Sequence, residues 1–505
     1  MRARSARGTL VGMASATPLW LFADQLGPHV HGGEHAHRPV VLIESGSALR
    51  RRRYHRQKLH IVLSALRHTA AELGERATLV RADTYREALA KIGRPVLVHE
   101  PTSFAAERFV HRLRDEGLVA DVLPTPTFAL PRAEFRRWAG GRSRFRMEDF
   151  YRDQRRRFEV LFDGGEPVGG RWNLDEDNRE PPPKKAGTLG VPAPYQPRED
   201  AIDEGVRADL DAMDLPTVGV DGPRRFAVTP AEASRALRRF VEHRLPTFGR
   251  WEDAMLAGDW AMSHSLLSVP LNLGLLHPLT VVRAAEKAYR TGHVSLAAAE
   301  GFIRQVLGWR EYTWHLYWHF GPDYTSSDAL GAHTDLPDWW QELTPDPVAA
   351  ACLRDALTGV RERGWVHHIP RLMLLGNHAL QRGYSPAQLT DWFATAFVDG
   401  FAWVMPPNVV GMSQHADGGR LATKPYAAGG AYINRMSDYC GRCPYNPRVR
   451  VGDDACPYTA GYWAWVHRHR DLLDRNPRTT RAVVGMRRLG DLDALLEQEH
   501  HRDRF

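Results

Sequence analysis

The sequence predicts a doubly wound α/β domain with a parallel sheet, followed by a larger all-α domain. Near the amino terminus, short apolar runs alternate with stretches of helical spacing, which is the pattern of a parallel sheet. A segment rich in proline and glycine follows, and from Thr229 onward helical periodicity dominates. A chain of 505 residues is also long enough for more than one domain.

The first domain is expected to span residues 16–130 and to bind a ligand at one sheet edge. Asp24 follows the first apolar run and Glu44 follows the second, and ligands of such sheets bind at the carboxyl ends of strands. A helix-capping role accounts for both carboxylates equally well. A glycine-rich dinucleotide fingerprint is missing, which argues against a nicotinamide cofactor. The runs that predict strands are 19–23, 40–43, 77–80, 95–98 and 119–123, with a helix predicted at 55–67.

The remaining boundaries follow from composition. Residues 131–228 are expected to form a connector, and residues 229–505 an all-α domain with helical runs at 295–318, 348–363, 385–398 and 458–472. The first seven residues are Arg-rich and no apolar signal core follows before Pro18, so residues 1–15 are expected to be a mobile tail. No run of about 20 apolar residues is present, so no membrane span is expected, and a cytoplasmic location fits the few cysteines.

The charge balance is compatible with a polyanionic partner. The formal net charge is +7, from 67 Lys and Arg against 60 Asp and Glu. This balance alone is weak support, because many proteins of this size are mildly basic. The arginine excess adds to it, since guanidinium groups pair with phosphate in a two-pronged geometry.

The four cysteines predict a metal centre. Cys440 and Cys443 form a Cys-x-x-Cys pair, Cys456 follows closely, and Cys352 lies upstream. Four thiolates suit either a cubane iron–sulfur cluster or a tetrahedral zinc, and the spacing leaves both open. Disulfides would need an oxidising compartment, and unrelated buried thiols would be more scattered along the chain.

Several motifs together resemble those of one family. They are Phe22-Ala-Asp24-Gln25-Leu26, Met147-Glu-Asp-Phe-Tyr-Arg152, Gly169-Gly-Arg-Trp-Asn173, Gly308-Trp-Arg-Glu-Tyr312, Pro407-Asn-Val-Val-Gly-Met412 and Ala416-Asp-Gly-Gly419. The chain resembles the iron–sulfur bacterial cryptochromes and photolyases, also called prokaryotic (6-4) photolyases, from about Leu19 to His469. The resemblance implies that Cys352, Cys440, Cys443 and Cys456 bind a four-iron–four-sulfur cluster.

The resemblance also implies two chromophores. Asp24, Gln25 and Glu44 match the binding motifs of a 6,7-dimethyl-8-ribityllumazine antenna. FAD is expected in the all-α domain, with Arg371 and Asp399 as a charged pair against the flavin ring. The residues matched to FAD binding are Trp251, His264, Ser265, Leu266, Leu267, Ser268, Gln305, Arg310, Arg371, Asp399, Met405 and Asn408.

The catalytic residues implied by the resemblance are His368, His367 and Trp392. His368 matches the proton donor to the lesion, and neighbouring His367 is expected to face elsewhere, about 100° around a helix. Trp392 matches the inner electron donor to the flavin, with Trp340 a candidate for the next donor. Two positions depart from the family: Phe393 stands where tyrosine is common, and Met405 where relatives often carry glutamate.

The expected function is light-driven repair of pyrimidine (6-4) photoproducts by reduced FAD, with UV-damaged DNA as partner and a monomer as the working form. Two alternatives are kept. One is a cryptochrome-type blue-light receptor with little repair activity, and the other is a non-photochemical iron–sulfur protein that binds DNA. Photoreduction and repair assays separate the repair enzyme from the blue-light receptor. A flavin absorption band excludes the non-photochemical protein.

Overall fold

The computed structural model describes residues 16–142 and 144–505, so the tail predicted for 1–15 lies outside the described residues. The chain forms two compact units, each built from separate stretches. The first unit comprises residues 16–138, Tyr195–Arg239 and Ser265–Ala284, and the second comprises Ala139–Pro194, Phe240–His264 and Ala285–Phe505. Residues of the predicted connector 131–228 therefore contribute to both units.

The first unit is organised around a five-stranded parallel sheet of order β3-β2-β1-β4-β5. Trp20, Val41 and Val98 on its strands are buried, as expected for a sheet with both faces covered. The order reverses between β1 and β4, which creates a crevice at the carboxyl ends of these two strands. The strands are β1 Leu19–Leu21, β2 Val40–Ser45, β3 Ala77–Ala82, β4 Val96–His99 and β5 Val119–Leu123.

The helices of the first unit begin at residues that the sequence marks clearly. Thr84 and Glu87 form a reciprocal capping box, and the hydroxyl of Ser103 caps the next helix by accepting from Ala106 N. The helices are Pro28–His31, Gly46–Arg50, Arg56–Leu73, Tyr85–Ile92, Phe104–Asp115, Ala201–Ala212 and Ser268–Asn272. The chain passes between the units within or beside Arg132–Ala139, Pro230–His243 and Pro278–Arg290.

The second unit is mostly helical, and its described residues include a short hairpin of Phe162–Asp163 and Glu166–Pro167. Its α-helices are Met147–Arg157, Leu245–Phe248, Leu296–Ile303, Glu311–Phe320, Asp338–Gln341, Ala351–Arg363, Asn377–Arg382, Pro386–Ala396, Gly430–Met436, Pro457–Arg468, Arg470–Asp474, Thr480–Arg487 and Leu492–His500.

Three π-helical segments interrupt this helical unit, at Arg304–Arg310, Pro370–Gly376 and Pro407–Ser413. The fold class predicted from the sequence is confirmed, but the π segments were not predicted. In the described residues, no helix combines the length and the apolar character that crossing a membrane requires.

Candidate active site

Each π-helical segment carries residues that the sequence assigned to the flavin. Gln305 and Arg310 lie on the first segment, Arg371 on the second and Asn408 on the third. Widened turns of this kind occur frequently at functional sites, because the extra residue changes the direction of a side chain within an otherwise regular helix. The distortions therefore coincide with the expected cofactor residues.

Arg371 and Asp399 form a two-pronged ion pair. The two terminal nitrogens of Arg371 donate to the two carboxylate oxygens of Asp399 at 2.9 and 3.0 Å, and its Nε donates to the Val366 carbonyl at 2.7 Å. The guanidinium lies 4.4 Å from the centroid of the Phe397 ring. These contacts fix the guanidinium plane, which is the requirement for placing charge against a planar ring.

The structure brings three histidines together. The reactive ring nitrogens of His264, His367 and His368 lie within 4.8 Å of one another, and the rings of His264 and His367 stack at 4.3 Å. Burial, with the charges of nearby His and Arg side chains, lowers the pKa of His264 and of His367 well below the usual value. Both are therefore neutral packing partners at physiological pH.

His368 differs from its two neighbours in exposure and partner. Its side chain is 48% exposed, and Nε2 lies 3.5 Å from an oxygen of Asp253. Burial would raise the pKa of Asp253, but the hydrogen bond and charge of His368, together with Arg179 and Arg304, hold it below its usual value. The Asp253 carboxylate is therefore ionised at neutral pH.

Buried carboxylates surround Arg304 beside this pair. Its guanidinium lies 3.9 Å from Glu252, 3.6 Å from Glu300 and 2.5 Å from Asp175. One guanidinium cannot neutralise three carboxylates in a buried site. Burial raises the pKa of Glu252 to about 8, so this carboxyl keeps its proton at neutral pH.

A cavity of about 420 Å³ combines two aromatic rings with four basic residues, and it was not predicted from the sequence. Within the described residues, Arg146, Arg152 and Lys424 form no ion pair with a carboxylate. Burial, with the charges of Glu148, Asp175 and Asp253, raises the pKa of Tyr426, one of the two aromatic residues that line the cavity. The cavity is lined by Arg146, Met147, Glu148, Asp149, Arg152, Trp309, Leu421, Ala422, Thr423, Lys424, Tyr426 and Arg478.

The four cysteines converge, and none of them forms a disulfide. Burial, followed by the charges of the other three cysteines, raises the pKa of Cys352 well above its usual value. Cys456 directly precedes the helix Pro457–Arg468, and its sulfur accepts from the backbone N–H groups of Tyr458 and Thr459. Cys352 lies in the first turn of Ala351–Arg363. Two of the four sulfurs are thus at helix amino termini, which favour negative charge.

Trp392 lies beside Phe397, on which the predicted flavin residue Arg371 packs, and beside the next predicted electron donor. Its ring centroid lies 5.7 Å from that of Phe397, which packs on Arg371, and 5.2 Å from that of Trp340. Phe393 lies 4.9 Å from Trp392 and stacks on Phe397. Trp340 is therefore directly next to Trp392, without an intervening residue.

The other flavin candidates have mixed surroundings. Met405 is buried, and Trp251 lies under the guanidinium of Arg250 at 5.0 Å. The stretch Ser265, Leu266, Leu267 and Ser268 belongs to the first unit, where Leu266 has a positive φ of 57° and Leu267 N donates to Ser265 Oγ at 3.3 Å.

The three antenna candidates also belong to the first unit. Asp24 lies at the crevice after β1 and accepts a hydrogen bond from Thr102, which follows β4. Burial raises its pKa to about 6, against the lowering effect of Thr102. Gln25 is fully buried and bonds to backbone groups, and Glu44 forms a two-pronged pair with Arg67 at 2.7 and 3.0 Å. Asp24 is therefore the candidate most open to a ligand.

Comparison with known proteins identifies the family. The chain is 39% identical over 493 residues to the (6-4) photolyase of Agrobacterium fabrum (strain C58), covering 93% of this chain and 95% of that protein. This chain belongs to the photolyase and cryptochrome family. A family model described as deoxyribodipyrimidine photo-lyase-related protein matches residues 19–226.

Solved structures of the family share the fold. A class III photolyase from Agrobacterium tumefaciens superposes with a TM-score of 0.54 at 18% identity, over 93% of this chain and 98% of that one. A cryptochrome from Synechocystis sp. PCC6803 gives a TM-score of 0.54 at 13% identity, over 83% and 88% of the two chains. At these identities, the two structures show that this chain shares their fold.

Proposed function

We propose that this protein is a light-dependent DNA repair enzyme that acts on pyrimidine (6-4) photoproducts. The observation that carries the proposal is His368, a partly exposed histidine paired with the ionised carboxylate of Asp253. His264 and His367, which touch it, are buried and neutral. The 39% identity to a (6-4) photolyase over most of the chain supports the same reaction.

The residues present fit a flavin. Gln305, Arg371 and Asn408 lie on three different π-helical segments, and two hydrogen bonds pair Arg371 with Asp399. FAD bound here would supply an electron after absorbing light. Arg371 would lie against its ring and favour negative charge there. Met405 has no acidic proton and would act only as an apolar contact.

The cavity fits an extrahelical damaged base. Trp309 and Tyr426 offer aromatic faces for stacking, and Arg146, Arg152 and Lys424 offer cations for backbone phosphates. A lesion that already stacks poorly costs less to flip out of the duplex, which aids selection. Damaged DNA is therefore the proposed partner, and a monomer is the proposed working form.

The proton for lesion cleavage would come from His368. Transfer of a hydroxyl between the two bases requires protonation of a poor leaving group, and a positioned histidine donates near neutral pH. In the imidazolium form, Nε2–H is the proton to be delivered. Asp253 acts as a positioning residue that holds this nitrogen before the lesion enters.

The cysteine site fits an iron–sulfur cluster better than zinc. In a tetrahedral zinc site with zinc–sulfur bonds of about 2.3 Å, the sulfurs lie about 3.8 Å apart. Among the described residues, which include all four cysteines, no three of these sulfurs lie within 4.8 Å of one another. A cubane spreads its ligands further, because each cysteine binds a different iron. We therefore assign Cys352, Cys440, Cys443 and Cys456 to a four-iron–four-sulfur cluster.

The crevice between β1 and β4 fits a small antenna chromophore such as a lumazine. Asp24 is the residue proposed to hold it, since its carboxyl lies at the point where strand order reverses. The carboxylate of Glu44 is already paired with Arg67, so Glu44 is not proposed to bind the chromophore directly. The cytoplasmic location stays a prediction.

The test is illumination of reduced protein with an oligonucleotide that carries one (6-4) photoproduct, followed by chromatography of the product. His368→Ala is expected to keep flavin, iron and affinity for damaged DNA but to lose repair, because the proton donor is absent. General acid catalysis contributes about 10²–10⁴-fold, which sets the expected loss. His333→Ala is the matched control, since His333 also pairs with a carboxylate, Asp328 at 3.2 Å, but its side chain is 83% exposed.

Two outcomes would contradict the proposal. Full repair by the His368→Ala variant would show that His368 is not the proton donor. If the wild-type protein is photoreduced but repairs nothing, the blue-light receptor becomes the better interpretation.

A further inference from the structure

A continuous tract of buried aromatic rings extends from Trp392 toward the cysteine cluster. The centroid of Trp392 lies 5.2 Å from that of Trp340, Trp340 lies 5.7 Å from His378, and His378 lies 6.0 Å from Tyr458. The planes of Trp340 and His378 are only 17° apart, so these two rings stack. The exposed fractions of the four side chains range from 0% at Trp340 to 6% at Trp392.

The two ends of the tract lie at different redox sites. Trp392 packs near Phe397, on which the guanidinium of Arg371 lies. Tyr458 is two residues after Cys456, and its backbone N–H donates to the Cys456 sulfur. The tract therefore joins the proposed flavin site to the proposed cluster.

The two tryptophans have no way to release a proton after losing an electron. The indole N–H of Trp340 is buried and has no hydrogen-bond acceptor in the described structure, and that of Trp392 donates to the Trp340 carbonyl at 3.2 Å. A backbone carbonyl does not accept a proton under ordinary conditions. An oxidised tryptophan at either position therefore stays a cation radical until an electron reaches it.

Two neighbours could supply that electron. Trp339 is half-buried and lies 5.6 Å from Trp340, but the planes of the two rings are 63° apart. His378 stacks nearly parallel on Trp340 and continues to Tyr458 and the cysteines. The parallel stack gives the greater overlap between rings and favours the second route.

We propose that the iron–sulfur cluster is a one-electron donor to Trp340, coupled through the rings of His378 and Tyr458. The proposal rests on the flavin and the cluster assigned under the proposed function. Light drives one electron from Trp392 to the flavin, and Trp340 refills Trp392. Trp340 then regains one electron from the cluster, so the flavin gains one electron, the cluster loses one and both tryptophans return to their starting state. No proton leaves either indole.

The experiment is low-temperature electron paramagnetic resonance of the holoprotein, frozen after illumination without an added reductant. In the wild type, we expect a signal from the oxidised cluster together with one-electron reduction of the flavin. Trp392→Phe should remove both signals, since phenylalanine is much harder to oxidise. Tyr458→Leu should lose the cluster signal, and Tyr458→Phe should keep it because the ring is retained.

Tyr384→Leu is the matched control. Tyr384 is also buried and lies 5.8 Å from both Trp340 and His378, but unlike Tyr458 it is not near a cysteine in the sequence. Its loss should leave the cluster signal unchanged. Where Tyr458→Leu fails to fold or to retain iron, His378→Leu interrupts the same tract one ring earlier and should also lose the signal.

Retention of the cluster signal in an iron-loaded Tyr458→Leu or His378→Leu variant would overturn the proposal, as would its absence in the illuminated wild type. Repair by chemically reduced protein does not need this route. Absence of repair with an intact light-induced cluster signal would therefore contradict only the repair function, and repair without that signal would contradict only the electron route.

Discussion

At the scale of single residues, neighbouring groups of the same type have different chemistry because their burial differs. His367 and His368 are adjacent, but only His368 reaches both solvent and a carboxylate. Glu252 and Asp253 show the same contrast, since burial holds the proton on Glu252 whereas His368 and nearby arginines keep Asp253 ionised. Glu252, which is protonated, thus directly precedes Asp253, which positions the proposed proton donor His368.

Glu252→Gln tests the assigned protonation through the pH dependence of stability. The pKa of Glu252 is about 8 in the folded protein and has a usual value of 4.5, so the unfolded chain releases this proton at lower pH. The stabilisation is complete below pH 4.5 and is lost as pH rises toward 8, at up to about 1.4 kcal/mol per pH unit. As the pH rises from 4.5 to 8, the melting temperature of the variant should therefore fall less than that of the wild type.

Thermal unfolding at several pH values provides the measurement. Glu180→Gln is the control, because Glu180 pairs with Arg250 at the surface and its side chain is 50% exposed. Parallel pH profiles for the wild type and Glu252→Gln would show that Glu252 is ionised in the folded protein.

At the scale of elements, the strands were predictable because burial on both faces gives continuous apolar runs. The π segments were not, since one additional residue in a helical turn leaves the apolar spacing nearly unchanged. The cavity was also missed, because its walls come from residues as distant as Arg152, Trp309 and Tyr426. Motifs containing these residues were visible in the sequence, but only the fold brings them together.

The helix Gly430–Met436 allows a direct test of the cysteine site. A β-carbon at Gly430 would lie 2.9 Å from Cys456 Sγ and 2.7 Å from Thr459 Oγ1, closer than packing allows. Gly430→Ala should therefore displace the sulfur, lower the iron content and destabilise the fold by about 1–3 kcal/mol. Iron and sulfide analysis, with thermal unfolding, measures both effects.

Gly441→Ala is the control for this variant. Gly441 lies between Cys440 and Cys443, but a β-carbon there would meet nothing within 4 Å. This variant should keep its iron. Equal iron in the two variants would mean that the space beside Cys456 is not needed by the cluster.

At the scale of the whole molecule, the proposed chromophores depend on different compact units. Asp24 belongs to the first unit, whereas Arg371, Asp399 and Asn408 belong to the second. Sequence analysis assigned two domains, but neither compact unit is continuous along the chain, because local composition does not report which distant segments pack together. The ligands should nevertheless be separable by single substitutions.

Asp24→Asn should release the antenna and leave FAD in place. The substitution keeps the size of the side chain but removes the carboxylate that accepts from Thr102 at the crevice. Chromatography of both chromophores after denaturation of the protein gives their occupancies, and an action spectrum shows whether the antenna contribution is lost. Asp83→Asn is the control, since Asp83 follows β3 and its side chain is 55% exposed and pairs with Arg50. Loss of FAD together with the antenna would show that Asp24 supports the whole fold rather than one chromophore site.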